Sequence, residues 1–291
     1  MAESSNKKKG EPLVAVLLSW FLPGAGHLYL GRLGLGAAVF VLVEGLYIAG
    51  LMLSGGRTFE FLDPELRGAL ATALTPEVGN LGGLLWQLKN HGFGGPEPGP
   101  WPPNMMAGVW LTGLSGMLNA LFLVHVHLEA RTPSGHRPGG LQPALLVGST
   151  WLVPGLGHLL QGRRLRGLVV FGLLVGFFAW GTWFAEGSNL SRERHFYYWS
   201  GQFLVGLPSI VTEWMSGRPR VTHELPWGDV GLLFGCMAGL LNVLAMLDVY
   251  GVAERRWFDA RPASATAEGH GVAEAAAGVG ADAETEAETV A

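Results

Sequence analysis

The chain has 291 residues, of which 49% are apolar and only 14% are charged, and its mean hydropathy is positive. This composition, with 45 glycines and 11 tryptophans, is typical of lipid-facing helices and argues against a soluble globular protein. The net charge of −4 comes largely from an acidic C-terminal tail, so we expect no nucleic-acid partner. A single cysteine, Cys236, excludes an internal disulfide and a redox motif.

Apolar runs divide the chain, and runs of this length predict helices, because a lipid-exposed backbone must satisfy its own hydrogen bonds over about 20 residues. In chain order, six strong runs cover residues 12–30, 33–53, 105–128, 142–160, 165–185 and 228–250. Two long connectors, 54–104 and 186–227, mix Pro, Gly, Trp and charged residues. Within them, the weaker runs 77–88 and 197–215 predict interfacial or re-entrant pieces.

Three segments are predicted to lie outside the membrane. Residues 1–11 are polar and basic, and the stretch from Gly92 to Asn104 is so rich in Pro and Gly that it predicts an irregular loop. Residues 262–291 are rich in Ala, Gly and Glu and contain no aromatic residue. They therefore predict a disordered acidic tail.

A ten-residue signature occurs twice, as PGAGHLYLGR at 23–32 and as PGLGHLLQGR at 154–163. Ungapped shifts of 131 and 123 positions superpose further residues around the first and third runs of each copy. We therefore predict an all-α, polytopic integral membrane helical bundle built from two internal repeats, with helices broken at the Pro-Gly pairs. The predicted organisation is a basic tail 1–11, repeat 1 at 12–131, a linker 132–142, repeat 2 at 143–256 and an acidic tail 257–291.

Clusters of basic residues flank the apolar runs. They lie at 7–9, 131–137, 163–166 and 255–261. The positive-inside tendency places these clusters and both termini in the cytoplasm, as for a multi-pass protein of the cytoplasmic membrane. If the runs 12–30 and 142–160 enter and leave on one side, four crossings remain and the repeats are parallel. If these runs cross fully, there are six crossings and the repeats are inverted.

Each signature places a histidine and an arginine five residues apart, behind a Pro-Gly pair that kinks or ends the helix. The two pairs are His27 with Arg32 and His158 with Arg163. One interpretation is a polar binding site for an anionic head group, a carboxylate or a coupling proton. The other is that the histidine caps the broken helix while the arginine reaches lipid phosphate. Lipid anchoring is favoured because it needs this geometry and no partner.

The third run of each copy carries small residues at four-residue spacing, followed by an asparagine. These residues are Gly108, Thr112, Gly116 and Asn119 in repeat 1, and Gly231, Gly235, Gly239 and Asn242 in repeat 2. Residues at i, i+4 and i+8 share one helix face, so a neighbouring helix can approach closely and accept an amide hydrogen bond. We interpret this stripe as a packing face rather than as the lining of a pathway.

Ionisable residues inside the apolar runs are further candidates for a binding site. Asp248 stands at the position equivalent to His125, and the two are candidates to pair across the repeat interface, as in a proton relay. Glu44 lies mid-way along the second run, and Val175 takes its place in repeat 2. Glu44 either finds a donor inside the bundle or faces water.

A catalytic role has little support in the sequence. The GLSG segment around Ser115 resembles the nucleophile motif of rhomboid intramembrane proteases, but Ala238 replaces the serine in repeat 2. The sequence contains no phosphate loop, no HExxH zinc motif and no paired catalytic carboxylates. We therefore predict no enzyme activity, no metal and no cofactor.

The signatures carry a family resemblance. LPGAGHLYLGR and VPGLGHLLQGR, each followed by a further apolar helix, look like the GxxGxHxFYLGR-type segment of the two-transmembrane-helix domain (TM-two) family. Asp248 stands in the acidic position of that family, which His125 occupies in repeat 1. Long inserted connectors and a weakened aromatic pair depart from the pattern. The resemblance implies a tandem, divergent relative of mostly unassigned biochemical role in a bacterial inner membrane.

Two functions from different classes remain open. One is a non-enzymatic membrane scaffold or interaction module, which contacts the lipid bilayer and associates with itself or with a partner membrane protein. The other is a carrier or channel for a small solute or ion, with a polar site at the repeat interface that includes Glu44. A shared polar recess between residues 26–32 and 157–163 favours the carrier, whereas outward placement at the lipid boundary favours anchoring.

Overall fold

The computed structural model describes residues 10–60, 62, 67–93, 100–133, 139–217, 219 and 221–259. Several predictions concern segments outside these residues. They are the basic tail before residue 10, residues 94–99 of the proline-rich loop, residues 134–138 of the linker and the acidic tail from residue 260 onwards.

Every regular element in the described part of the chain is helical, which confirms the all-α fold class. Repeat 1 contains α1 (Pro12–Phe21), α2 (Ala25–Tyr29), α3 (Leu33–Ser54), α4 (Ala69–Ala73), α5 (Leu81–His91) and α6 (Met105–Arg131). Repeat 2 contains α7 (Pro143–Leu152), α8 (Leu156–Leu160), α9 (Arg164–Phe184), α10 (Phe196–Phe203), α11 (Leu207–Ser216) and α12 (Gly228–Phe258). Short 3₁₀ turns at Pro76–Gly79 and Ser188–Leu190 lie in the two connectors.

Four helices, α3, α6, α9 and α12, are long and apolar enough to cross a membrane. Within each repeat the two long helices pack against each other, α3 on α6 and α9 on α12. Glycines face each other at both contacts. A Cβ atom on Gly50 would lie 2.7 Å from the carbonyl oxygen of Gly108, and one on Gly181 would lie 2.7 Å from that of Gly231. The backbones therefore approach too closely for any side chain to lie between them.

The two broken runs fold as short hairpins. Gly24 and Gly155 both have φ of +82°, a conformation that favours glycine, and they reverse the chain between α1 and α2 and between α7 and α8. The backbone N–H of Glu11, where the first hairpin begins, donates to the hydroxyl of Tyr29 near its end at 3.2 Å. The hairpin therefore enters and leaves on the same side of the bundle, as in the four-crossing alternative.

The connectors also turn back into the bundle, from the opposite end. In repeat 1 the 3₁₀ turn lies beside the tip of the hairpin, where the indole of Trp20 donates to the carbonyl oxygen of Val78 at 2.7 Å. In repeat 2 the turn between α10 and α11 is equally close, since a Cβ atom on Gly206 would lie 1.9 Å from the carbonyl oxygen of Trp151. The weaker runs are thus re-entrant pieces. In each repeat, the tip of the hairpin meets the turn of the connector, and each of the two covers about half the length of the bundle.

The repeats lie side by side in the same direction. The C-terminal ends of α6 and α12 are joined by an ion pair between Arg131 and Glu254 and by the indole of Trp257, which donates to Thr132 at 3.1 Å. An apolar core shared by both repeats includes Met117, Val147, Trp151, Trp199, Phe203 and Met246. Because the repeats are parallel, both hairpins enter from the end at which α6 and α12 finish.

Candidate functional site

Each signature forms the return arm of a hairpin, with its histidine turned inwards. A Cβ atom on Gly24 would lie 2.1 Å from the carbonyl oxygen of Gly36, so the turn needs both its glycine and a close approach to α3. The turn leaves His27 0% exposed against α6, and the equivalent turn leaves His158 1% exposed against α12. The neighbouring Leu28 is exposed, so the polar and apolar faces of the short helix are separated.

In repeat 1, two elements bring a polar cluster together. Nε2 of His27 lies 3.0 Å from Nδ1 of His125 on α6. The carboxylate of Glu129, one turn further along α6, lies 3.9 Å from the same His125 nitrogen and accepts a hydrogen bond from Nε of Arg32 at 2.5 Å. Burial lowers the pKa of His27 to about 4, and His125 acts in the same direction, so the His27 imidazole is neutral near pH 7.

In repeat 2, ion pairs replace this cluster. Nε2 of His158 lies 3.1 Å from Oδ2 of Asp248, which stands at the position equivalent to His125. The Asp248 carboxylate is also 2.7 Å from Nη1 of Arg163 and 3.3 Å from Nη1 of Arg166. Burial lowers the pKa of His158, and the Arg163 cation acts in the same direction. The Asp248 carboxylate therefore fastens the hairpin to α12, together with the amide of Gln161, which donates to the carbonyl oxygen of Val249 at 2.7 Å.

The pairing of His125 with Asp248 across the repeat interface, raised from the sequence, is wrong. Each of these residues contacts the hairpin histidine of its own repeat, because each hairpin packs on the third run of the same repeat. Arg32 is 63% exposed but binds the Glu129 carboxylate of its own repeat. Across the described ranges, no hydrogen bond or ion pair joins residues 26–32 to residues 157–163.

The small-residue stripes lie at close contacts in both repeats. A Cβ atom on Gly116 would lie 2.1 Å from the carbonyl oxygen of Pro76, and one on Gly239 would lie 1.9 Å from that of Gly201. These contacts bring the re-entrant connectors against the long helices. Of the other stripe residues, Gly108 and Gly231 face the long partner helix, Thr112 donates to Glu77, and Gly235 faces the amide of Gln202.

The asparagines lie where hairpin tip and connector tip meet. Nδ2 of Asn119 donates to the carbonyl oxygens of Ser19 and Gly79, both at 2.9 Å. Asn242 repeats this arrangement, donating to Thr150 at the hairpin tip at 3.2 Å and to the connector tip at 2.9 Å. Each asparagine thus satisfies backbone carbonyls that the broken helices leave without an internal donor.

Inside the bundle, the side chain of Glu44 lies near the amide of Asn80. It is half-buried and lines a groove of about 680 Å³ together with Tyr47 and Trp86. The groove belongs to repeat 1 and lies away from both signature histidines, which are not among its lining residues. Glu44 and the signatures therefore do not form one site.

Ser115 is buried and takes part in packing. Its hydroxyl donates to the backbone carbonyl of Val43 at 2.8 Å and accepts a hydrogen bond from Asn80 at 3.3 Å. A serine nucleophile needs an adjacent general base. Within the part of the chain that is described, no histidine is hydrogen-bonded to Ser115.

The chain matches the model of a family of unknown function (DUF6677) over residues 14–137 and 144–257. The chain belongs to this family. Neither a curated protein nor a solved structure matched it. The match of this DUF6677 member falls in two segments, which is consistent with the internal repeats, and its four long apolar helices make it a multi-pass membrane protein in contact with lipid.

Sequence reasoning missed two polar features of this DUF6677 member. Glu129 joins the histidine cluster only because α2 packs on α6, and its position at the end of an apolar run gave no signal. Glu77 and Arg192 form a buried ion pair between the two connectors, for which the sequence predicted no polar contact. Charged residues in re-entrant connectors were the available signal for this second pair.

Proposed function

We propose that this protein is a non-enzymatic membrane module that associates with itself or with a partner membrane protein. The observation that carries the proposal is that the polar residues of each signature bind within their own repeat. His27 contacts His125, and His158 contacts Asp248. These contacts hold a hairpin against a long helix, which is a structural role, and they do not create a recess shared by the repeats.

The outward surfaces support an interaction role. Large apolar side chains, such as Val41 on α3 and Trp183 on α9, are mostly exposed. Two parallel repeats therefore offer two similar apolar faces, suited to lipid or to an apolar helix of another membrane protein. A rigid bundle held by buried polar bonds would present these faces in a constant geometry.

We also propose the cytoplasmic membrane of a bacterium as the location, with both termini in the cytoplasm. In support, Arg131, Arg163 and Arg255 lie at the end of the bundle where the hairpins enter, as the positive-inside tendency requires. We further propose a distant relationship to the TM-two family. The shared signature residues, with Asp248 in the acidic position, support it.

A carrier or channel for a small solute or ion is the second candidate function. Glu44 favours this function, because a half-buried carboxyl beside a groove costs free energy in a membrane bundle, and such residues usually mark binding sites or pathways. Half-length segments that meet tip to tip at Asn119 and Asn242 also resemble the discontinuous helices of transporters. In this function, Glu44 binds the solute or ion and the tips form the narrowest part of the path.

Two substitutions separate the candidates in growth or flux assays run in parallel. Glu44→Gln removes the charge while keeping the shape, and Gly239→Leu disrupts the contact with Gly201. Gly251→Leu is the matched control, because a Cβ atom at this position of the same helix meets nothing within 4 Å. Amounts of each variant in the membrane are measured in the same cells.

The module is expected to tolerate Glu44→Gln and Gly251→Leu and to lose function with Gly239→Leu. The carrier is expected to lose function with Glu44→Gln even when the variant is present at the wild-type level. A functional Gly239→Leu variant together with an inactive Glu44→Gln variant would reject the module.

A further inference from the structure

We propose that His27, His125 and Glu129 form a binding site for a divalent transition-metal ion, Zn²⁺ above all, which fastens the first hairpin to α6. Each residue offers one ligand atom, and these atoms lie within 4.8 Å of one another. The proposal is independent of whether the protein acts as a module or as a carrier, because it rests on this cluster alone.

The distances between the ligand atoms suit a zinc site. Zn–N bonds are about 2.0–2.1 Å long, so two nitrogens on a tetrahedral ion are about 3.3 Å apart. Nε2 of His27 and Nδ1 of His125 are 3.0 Å apart, and Oε2 of Glu129 is 3.9 Å from Nδ1 of His125. A small rotation of the Glu129 carboxylate completes a set of two imidazoles and one carboxylate. Such a set is typical of Zn²⁺ and leaves a fourth position for water.

One ligand of the site is held in place by burial, and the other two can be reached by an ion from outside the protein. His27 is fully buried in the hairpin, whereas the side chains of His125 and Glu129 are 30% and 12% exposed. An ion can therefore arrive from the polar end of the bundle. Arg32 donates to Oε1 of Glu129, which orients the carboxylate with Oε2 towards His125. A ligand held by such an outer hydrogen bond loses less freedom when the metal binds.

In repeat 2, the positions equivalent to His125 and Glu129 lack this set of metal ligands. Asp248 replaces His125, and Val252 replaces Glu129 in the same register. Both oxygens of the Asp248 carboxylate are already bound by arginines, Oδ2 by Arg163 and Oδ1 by Arg166. Repeat 2 therefore keeps the hairpin in place with ion pairs and offers a single imidazole. Among the residues that the structure describes, one metal ion is therefore expected, in repeat 1.

The experiment uses the full chain, purified in detergent and freed of metal with a chelator. Zn²⁺ is titrated by calorimetry, and Co²⁺ serves as a spectroscopic probe of the same site. The variants are His125→Asn and Glu129→Gln, both at partly exposed side chains. His127→Asn is the matched control, since His127 lies on the same helix outside the cluster and near Tyr250.

The expected result is one site in the wild type that His125→Asn and Glu129→Gln each weaken at least tenfold, while His127→Asn leaves it unchanged. Zn²⁺ should also raise the unfolding temperature of the wild type and of His127→Asn but not of His125→Asn. Co²⁺ in the wild type should give the intense visible bands of a four- or five-coordinate site.

Three results would overturn the proposal. The first is a His125→Asn variant that binds Zn²⁺ as tightly as the wild type. The second is a Glu129→Gln variant with wild-type affinity for Zn²⁺. The third is a Co²⁺ spectrum of the wild type with only the weak bands of an octahedral ion. If a variant fails to fold, the Co²⁺ spectrum of the wild type still tests the proposal, because that measurement needs no substitution. A variant that fails to fold is recognised by its size-exclusion elution and by its unfolding curve, both measured without metal.

Discussion

Arg192 and Glu77 form an ion pair that joins the connectors of the two repeats. Nη1 of Arg192 lies 2.8 Å from Oε1 of Glu77, and the two side chains are 3% and 0% exposed. Thr112 donates to the same carboxylate oxygen at 2.9 Å. The guanidinium also lies over the rings of Phe59, Phe196 and Trp199. Because both charges are out of water, each compensates the desolvation of the other.

Replacing one partner of this pair should destabilise the bundle strongly. We expect Glu77→Gln to lower the free energy of unfolding by about 3–5 kcal/mol, because it leaves the Arg192 charge buried without its counter-ion. The measurement is denaturant unfolding of the detergent-solubilised protein, followed by tryptophan fluorescence.

The exposed pair between Arg131 and Glu254 is the control for this prediction. Both of its partners are partly in solvent, so Glu254→Gln should change the free energy of unfolding by less than about 1 kcal/mol. If Glu77→Gln and Glu254→Gln changed the free energy of unfolding equally, burial would not be the reason for the larger contribution of the Glu77–Arg192 pair.

Gly239 and Gly251 lie on the same helix and should respond in opposite ways to alanine. A Cβ atom on Gly239 would lie 1.9 Å from the carbonyl oxygen of Gly201, so Gly239→Ala should destabilise the protein by about 1–3 kcal/mol. Gly251 has open space around it, and Gly251→Ala should stabilise the helix by about 0.5–1 kcal/mol. Thermal unfolding of the two variants checks both signs, and a stable Gly239→Ala would show that the helices can move apart freely.

Asn242 should be needed to hold the hairpin tip and the connector tip of repeat 2 together. Asn242→Ala leaves the carbonyl oxygen of Thr150 without this donor, at a cost of about 1–3 kcal/mol. Hydrogen exchange should then increase in α7 and at the turn after α10. Asn90→Ala is the control, because its bond to Trp86 is exposed and local. The same exchange pattern in both variants would argue against a specific role for Asn242.

The single cysteine makes the four-crossing topology testable by labelling. With Cys236→Ser as background, cysteines are introduced at the exposed Gly139 and Asp259, and at the exposed Pro103 and His223. Parallel repeats put 139 and 259 on one side of the membrane and 103 and 223 on the other. Membrane-impermeant maleimide, applied to vesicles of both orientations, reads out each side. Labelling of 139 and 259 from opposite sides would support six crossings instead.

Much of the architecture follows from local sequence. The lengths of the apolar runs predict helices, and the Pro-Gly pairs at 23–24 and 154–155 predict where two of them break. The glycine stripes predict close helix contacts, and Gly108 and Gly239 lie at such contacts. In each case the property belongs to one residue and its near neighbours, so it can be read along the chain.

The sequence by itself therefore determined the membrane class, the duplication and the places where helices break. Only the tertiary structure decided that the broken runs turn back, that the connectors re-enter from the other end, and that His27 meets His125 and Glu129. The reason is physical: residues about a hundred positions apart become neighbours only when helices choose a packing partner. That choice depends on the shapes and hydrogen bonds of whole faces, and no local pattern contains it.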